Sequence, residues 1–234
     1  MSDQSWERLG AASGLVAVIL FAVAFIIFLG QDPTGTPRIP DLAHADTFGA
    51  YVQAHEDSLK TQVLLNSIAI VLFLWFLGCL WSRLRAAEGG PARVSAIASA
   101  GGIAGAIAVL MGFVFEASAV VHPGVLEVNE LYVMATMSIG LGGAAFTVFF
   151  LAAAKVILKT GALPAAVGGL AIVAGLASAL GFVSIFADEG VFNAATGAFG
   201  FWVRFGAFVI WLAVASLALT ASVGASPARA RRSR

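Results

Sequence analysis

Six long apolar runs occupy residues 9–30, 59–81, 94–121, 131–156, 163–187 and 198–222, and the basic residues between them fall on alternate sides. A helix needs about 20 apolar residues to cross a hydrocarbon core, and each run is long enough. Only 11% of the residues are charged, where a soluble domain carries about 25%. Such a chain cannot turn its whole surface to water. It is predicted to be an all-α, polytopic membrane helix bundle: six transmembrane helices in three hairpins, plus a short outer amphipathic helix. Residues 1–225 form one transmembrane domain in this reading. Residues 226–234 form a basic, disordered cytoplasmic tail.

The charges set an orientation. With the amino terminus inside, Arg8, Arg83, Arg85, Arg93, Lys155, Lys159, Arg229, Arg231, Arg232 and Arg234 fall in the cytoplasm. Only Arg38, Lys60 and Arg204 lie on or near the other side. This is the bias of the positive-inside rule, and it places both termini in the cytoplasm. The formal net charge is +0, so nucleic acid is not an expected partner. Ala22-Val23-Ala24 superficially resembles a signal-peptidase site, but it sits inside the first run, which is read as a retained span. Cys79 is the single cysteine and lies in the second span. It allows no intrachain disulfide and reads as a small core thiol.

Lipid tails are as apolar as leucine, so helices in a membrane associate through close packing and polar contacts. The glycines lie accordingly. Gly101, Gly105, Ala108 and Gly112 share a face of the third span; Thr136, Gly140, Gly143 and Thr147 share one on the fourth. Gly168, Ala171, Gly175 and Ser178 line the fifth, and Gly200, Arg204, Ala207, Trp211, Ala215 and Ala218 the sixth. Larger residues such as Phe149, Phe150, Leu151 and Phe208 then face lipid or fill gaps. Trp81 and Trp202 suit the two interfaces, and Trp75 and Trp211 lie deeper, as core residues. A compact bundle without a water-filled pore is expected. The ascending helices open on similar small-residue text at 11–15, 98–103 and 165–170. A parallel internal repeat and simple small-residue packing both account for that, and packing is preferred because such text aligns easily with itself.

The loop at 31–59 has two parts. Residues 32–37 are turn-forming. Phe48, Tyr51, Val52, His55 and Leu59 then recur at helical spacing, with Asp46 or Thr47 as candidate caps. This segment reads as an amphipathic helix lying on the outer membrane surface, with a lid over a pocket as the alternative.

Charged residues within spans are rare and face the interior or a cavity. Glu116 continues the Gly105–Gly112 face, about 9 Å below His122 at 1.5 Å per residue. Arg204 lies on the small-residue face of the sixth span, and Asn66, with Gln62 one turn above, is at matching depth on the second. These four residues form the candidate intramembrane polar cluster, with Glu116 and Arg204 expected to pair. A structural ion pair and the floor of an outward-open site both fit. His55 and His122 are candidate accessory residues on the outer side, although no HxxxH or HExxH spacing occurs, so no metal site, catalytic residue or cofactor is assigned. Haem is not expected either, since no two histidines lie deep on facing spans.

Three passages carry a resemblance: Tyr51-Val52-Gln53-Ala54-His55 leading to Leu74-Trp75-Phe76-Leu77-Gly78; Leu163-Pro164 at the fifth span; and Val209-Ile210-Trp211-Leu212-Ala213-Val214-Ala215-Ser216. In these the chain resembles uncharacterised bacterial six-span membrane proteins grouped only as a domain of unknown function. The resemblance implies the bacterial plasma membrane and no assigned activity. The expected function is that of a non-enzymatic sensor or accessory subunit, with the lipid bilayer and a membrane-protein partner or second copy as its contacts. The alternative is a small secondary transporter using Glu116 and Arg204.

Overall fold

The computed structural model describes residues 3–30, 40, 42–121 and 127–224, with the side chains of 3, 4, 29, 30, 185, 223 and 224 left aside. The turn at 32–37, His122 and the basic tail at 226–234 lie outside the described residues. Six helices carry the fold: α1 (Asp3–Gly30), α2 (Phe48–Glu88), α3 (Arg93–Val121), α4 (Val128–Thr160), α5 (Ala165–Phe182) and α6 (Val203–Gly224). Each belongs to a helical stretch long and apolar enough to cross a membrane. The chain is a multi-pass membrane protein. Its lipid-facing surface is aliphatic: Ile19, Ile26, Val71, Ile107, Val173 and Ile210 are all exposed.

Neighbours in sequence are neighbours in space, and α6 returns to α1 to close a ring. The contacts show every adjacent pair antiparallel. Ser13 on α1 donates its hydroxyl to Leu72 O on α2 at 3.0 Å. Phe25 of α1 meets Trp202, just ahead of α6, at 5.4 Å between ring centres. The end that carries the start of α1 and the finish of α6 is the terminal end; the opposite one is the loop end.

Two tight connections shape the terminal end. Gly89 (φ 67°) and Gly161 (φ 68°) adopt left-handed backbone angles that stop α2 and α4, which an L side chain would resist. The Glu88 carboxylate then accepts from Val94 N at 3.1 Å, Ser95 N at 2.7 Å and Ser95 Oγ at 2.6 Å, satisfying donors at the start of α3. Arg83 Nε donates to Ala162 O at 3.2 Å and ties the two connections together.

The glycine faces meet the neighbouring helices. A Cβ on Gly101 would lie 2.8 Å from both Ala145 O and Phe149 N, so two backbones touch there with no room for a methyl group. A Cβ on Gly112 would lie 2.9 Å from Ala135 O, and one on Gly143 would lie 2.7 Å from Ser178 O. Thr147 Oγ1 reaches Gly175 O at 3.3 Å across the α4–α5 contact. The similar openings of the ascending helices do different work, which favours packing over repetition. Gly102 presses on Leu77, whereas Gly169 faces open space.

Among the large residues, the expectation for Trp75 needs correction. Of the residues expected to face lipid or fill gaps, Phe149, Phe150 and Phe208 fill gaps. With Phe73, Phe76, Phe146 and Trp211 they fill the middle of the ring toward its terminal end. Trp211 stands edge-on to Phe149 and Phe150, at 5.3 and 5.1 Å between centres, and its indole N–H donates to Val167 O at 3.2 Å. Trp75, expected in the core, is 45% exposed and packs on Trp6 at the surface. Leu151 is exposed as well.

The amphipathic segment is also not where its pattern placed it. It follows a 3-10 turn (Leu42–Thr47) and is continuous with the second span in α2. That helix has 41 residues, about 60 Å of length at 1.5 Å per residue, twice the ~30 Å hydrocarbon core. His55 leaves helical geometry (φ −130°, ψ 22°) and bends it. The imidazole Nδ1–H donates to Tyr51 O at 2.9 Å, the carbonyl one turn back. Beyond the bend, Phe48, Tyr51 and Val52 bury themselves against Ala119 and Val120 of α3 and Leu131 and Tyr132 of α4. The apolar stripe therefore seats on protein, not on lipid. Thr47 supplies no side-chain cap; its hydroxyl donates to His44 O at 2.8 Å.

A graded test of the packing follows. Gly101→Ala should lower stability by about 1–3 kcal/mol, as overpacking against rigid backbone does. Gly169→Ala and Gly206→Ala, where nothing lies within 4 Å of the added methyl, should be neutral or gain up to about 1 kcal/mol from helix propensity. Thermal melts of the detergent-solubilised variants separate the two classes.

Candidate intramembrane site

At the loop-end half of the ring the side chains do not meet in the middle, and a cavity of about 180 Å³ remains. Every helix contributes to its wall. Phe21 and Phe25 come from α1, Gln62 and Asn66 from α2, and Phe113 and Glu116 from α3. Tyr132, Thr136 and Ile139 come from α4, Ser178 from α5, and Arg204, Phe205 and Phe208 from α6. The bundle is therefore less compact here than expected. The space is closed toward the terminal end by the aromatic core, so it is a chamber and not a pore.

Arg204 is the most constrained of the polar groups, with 8% of its surface exposed. Its Nη1 donates to Ile139 O and to Gly140 O, both at 3.1 Å. Two glycines leave the passage this side chain needs. A Cβ on Gly181 would lie 2.5 Å from Arg204 Cδ and 2.8 Å from Nη1, and one on Gly143 would lie 3.4 Å from Nη1. The guanidinium thus threads between α4 and α5 and rests on backbone carbonyls of α4. A guanidinium carries five N–H donors in a fixed fork. The Nε–H and both Nη2 hydrogens have no hydrogen-bond partner among the described residues.

The expected pairing of Glu116 with Arg204 is not present. No N···O separation between them falls within 4.0 Å, and the ion pair seen among the described residues is the exposed Lys60–Glu56 contact on one face of α2. Glu116 instead lines the chamber from the α3 side, without a hydrogen bond among the described residues. Gln62 Oε1 is buried and also unpartnered. Gln62, Asn66, Glu116 and Arg204 thus face one space, with α2 and α3 across the ring from α6. His55 is not part of that wall; it is buried beside Tyr51 above it, with ring centres 4.5 Å apart.

A partial roof lies over the chamber at the loop end. Phe48 stacks on Tyr132 at 4.1 Å, and the Tyr132 hydroxyl donates to Pro40 O. The α5–α6 connection supplies the rest. Its centre is Asn193, fully buried, whose Oδ1 accepts from Ala195 N at 2.8 Å and Thr196 N at 3.0 Å while Nδ2 donates to Asp188 O. Gly197 and Gly200 press on the backbone of this turn. Ala194 and Ala195 then reach the chamber. Ala43 N donates to Asp188 O at 3.0 Å and joins the two halves of the roof. A short π-helical turn (Ala198–Trp202) leads directly into Arg204.

Sequence reasoning missed Asn193, Tyr132 and the roles of Gly143 and Gly181, and it read Thr136 as a packing residue alone. Only the glycines left a signal, because they sit at the depth of Arg204 on adjacent helices. Among the described residues no group of three or more metal-ligating side chains is assembled. Comparison with protein-family models, curated proteins and solved structures returns no match for this chain.

Gly181 and Arg204 should be energetically coupled. Gly181→Ala displaces the guanidinium and should cost about 1–3 kcal/mol. The same change in an Arg204→Ala background should cost almost nothing, because the clashing atoms are gone. Equal penalties in the two backgrounds, measured by thermal unfolding in a double-mutant cycle, would place the side chain elsewhere.

Proposed function

We propose that the protein is a non-enzymatic solute sensor of a bacterial plasma membrane, with both termini cytoplasmic and the loop end outside. One observation carries the reading: a chamber walled by all six helices holds a buried arginine with three N–H donors unused among the described residues. A purely structural arginine would have those donors satisfied, since unpartnered polar groups at membrane depth cost several kcal/mol. The basic residues crowd toward the terminal end, which the positive-inside rule assigns to the cytoplasm. Occupation of the chamber would reset the roof formed by Phe48, Tyr132 and the Asn193 turn. Membrane-protein partners, or a second copy, would then read the altered helix surface.

A second reading, a small secondary transporter, has a specific observation behind it. Helical geometry is interrupted beside the chamber by the 3-10 turn Val183–Phe186 and by the π turn Ala198–Trp202. Broken helices at a midplane site are common in transporters. Solute flux into proteoliposomes that Glu116→Gln abolishes would establish it; a sensor moves no solute.

Orientation and access can be read together. In a Cys79→Ser background, Asn66→Cys should react with a membrane-impermeant thiosulfonate added outside intact cells. Ala69→Cys, fully buried and away from the chamber wall, should not. Labelling of Asn66→Cys only after the cells are permeabilised would reverse the assigned orientation.

A further inference from the structure

The chamber has an electrical direction. On one side of the ring, α3 presents the Glu116 carboxylate, with Gln62 and Asn66 of α2 lining the wall beside it. On the other, α6 presents Arg204, which is nine-tenths buried and whose Nε–H and Nη2 donors have no partner among the described residues. The two sides do not neutralise each other. Arg204 is held away from Glu116 by the carbonyls of Ile139 and Gly140, in the passage left by Gly143 and Gly181.

We propose that the chamber binds a small zwitterion of the α-amino-acid type, its carboxylate on Arg204 and its ammonium on Glu116. The inference rests on the reading of the chamber as a ligand site and names the ligand's class. A simple anion would satisfy Arg204 but face the Glu116 carboxylate, and a simple cation would meet the reverse conflict. A zwitterion satisfies both walls and brings no net charge into a low-dielectric interior, where an uncompensated ion is most costly. Guanidinium suits the carboxylate end because two of its N–H groups match the two oxygens.

The rest of the wall sets the body of the ligand. Phe25, Phe113, Phe205 and Phe208 present aromatic surface. The volume is about 180 Å³, somewhat larger than the ~150 Å³ engineered cavity that admits benzene. One ring, or a branched aliphatic chain of similar size, fits beside the charged head.

Isothermal titration calorimetry on the full chain in lipid nanodiscs, with empty nanodiscs subtracted, tests this with four probes of one shape. L-phenylalanine carries both charges, 3-phenylpropionate the carboxylate alone, phenethylamine the ammonium alone, and toluene neither. L-phenylalanine should bind at least about 10-fold more tightly than either singly charged probe, the scale of one lost hydrogen bond to a charged group. Glu116→Gln removes no contact among the described residues and should melt like the parent. In it, phenylalanine and phenylpropionate should bind within about 3-fold of each other. Arg204→Lys should weaken phenylalanine and phenylpropionate together and leave phenethylamine unchanged. If phenylpropionate or phenethylamine equals or exceeds phenylalanine in the parent protein, the zwitterion assignment is wrong while the chamber stands as a ligand site. If none of the four probes, toluene included, binds in the parent, the chamber is not a ligand site and both readings fall.

Discussion

Contact between backbones with no Cβ between them is the interaction on which the rest of this molecule depends. In lipid, burying an isoleucine inside the bundle gains little over leaving it in the acyl chains. The structure reflects this: the outer surface is rich in isoleucine and valine, while glycine and alanine line the seams. At Gly101 the α3 backbone touches that of α4, and at Gly143 the α4 backbone touches that of α5. These seams set how far each helix is rotated about its own axis. That rotation decides which polar side chains face inward together.

Arg204 shows how the seams position a site. An arginine at this depth is costly unless its charge is compensated. Here the compensation is two carbonyl dipoles of α4, reached only because Gly143 and Gly181 leave a passage. The arrangement keeps the guanidinium from crossing to Glu116, and the chamber stays electrically divided. Large aromatic side chains fill the ring toward its terminal end. Toward the loop end small residues stand among the aromatics of the wall, and Ala24, Ala135, Thr136, Ser178, Ala194 and Ala195 are too short to reach across the same width. The chamber is the space those small residues leave, with a folded turn and a stacked aromatic pair over part of its loop end.

This division explains what a reader of the sequence could and could not foresee. Span positions follow from run length, and depth follows from the rise of 1.5 Å per residue. Gln62, Asn66, Glu116 and Arg204 were therefore legible as groups at one level. Glycine periodicity likewise identified the packing faces. What periodicity lacks is a partner: it says that Glu116 and Arg204 point inward, not toward what. Arg204 took backbone carbonyls that no sequence pattern advertises. Phe149 and Phe150, adjacent in sequence, both point inward because the ring is wide enough in cross-section to take neighbouring side chains from one helix. The amphipathic stripe from Phe48 to Leu59 matched a membrane anchor equally well, and only the bend at His55 turns it onto α3 and α4.

The distribution of irregular backbone bears on sensor against transporter. The bend at His55, the 3-10 turn after α5 and the π turn before α6 all lie at the loop end. The terminal end has no counterpart among the described residues. It is closed by Phe73, Phe76, Phe149, Phe150 and Trp211, all fully buried in mutual edge and tilted contacts, and is tied by the Trp211–Val167 and Arg83–Ala162 hydrogen bonds. Alternating access would require that aromatic core to part on every cycle. Breaking several such contacts at about 0.5–1.5 kcal/mol each, beyond the packing lost, is a steep barrier for a chamber this small. A sensor needs only the roof to move. The loop end alone has interrupted helices, a kinked cap and a turn held by one asparagine, so the conformational freedom lies where a ligand would enter and the rigidity lies where the chain would have to open to release it inward.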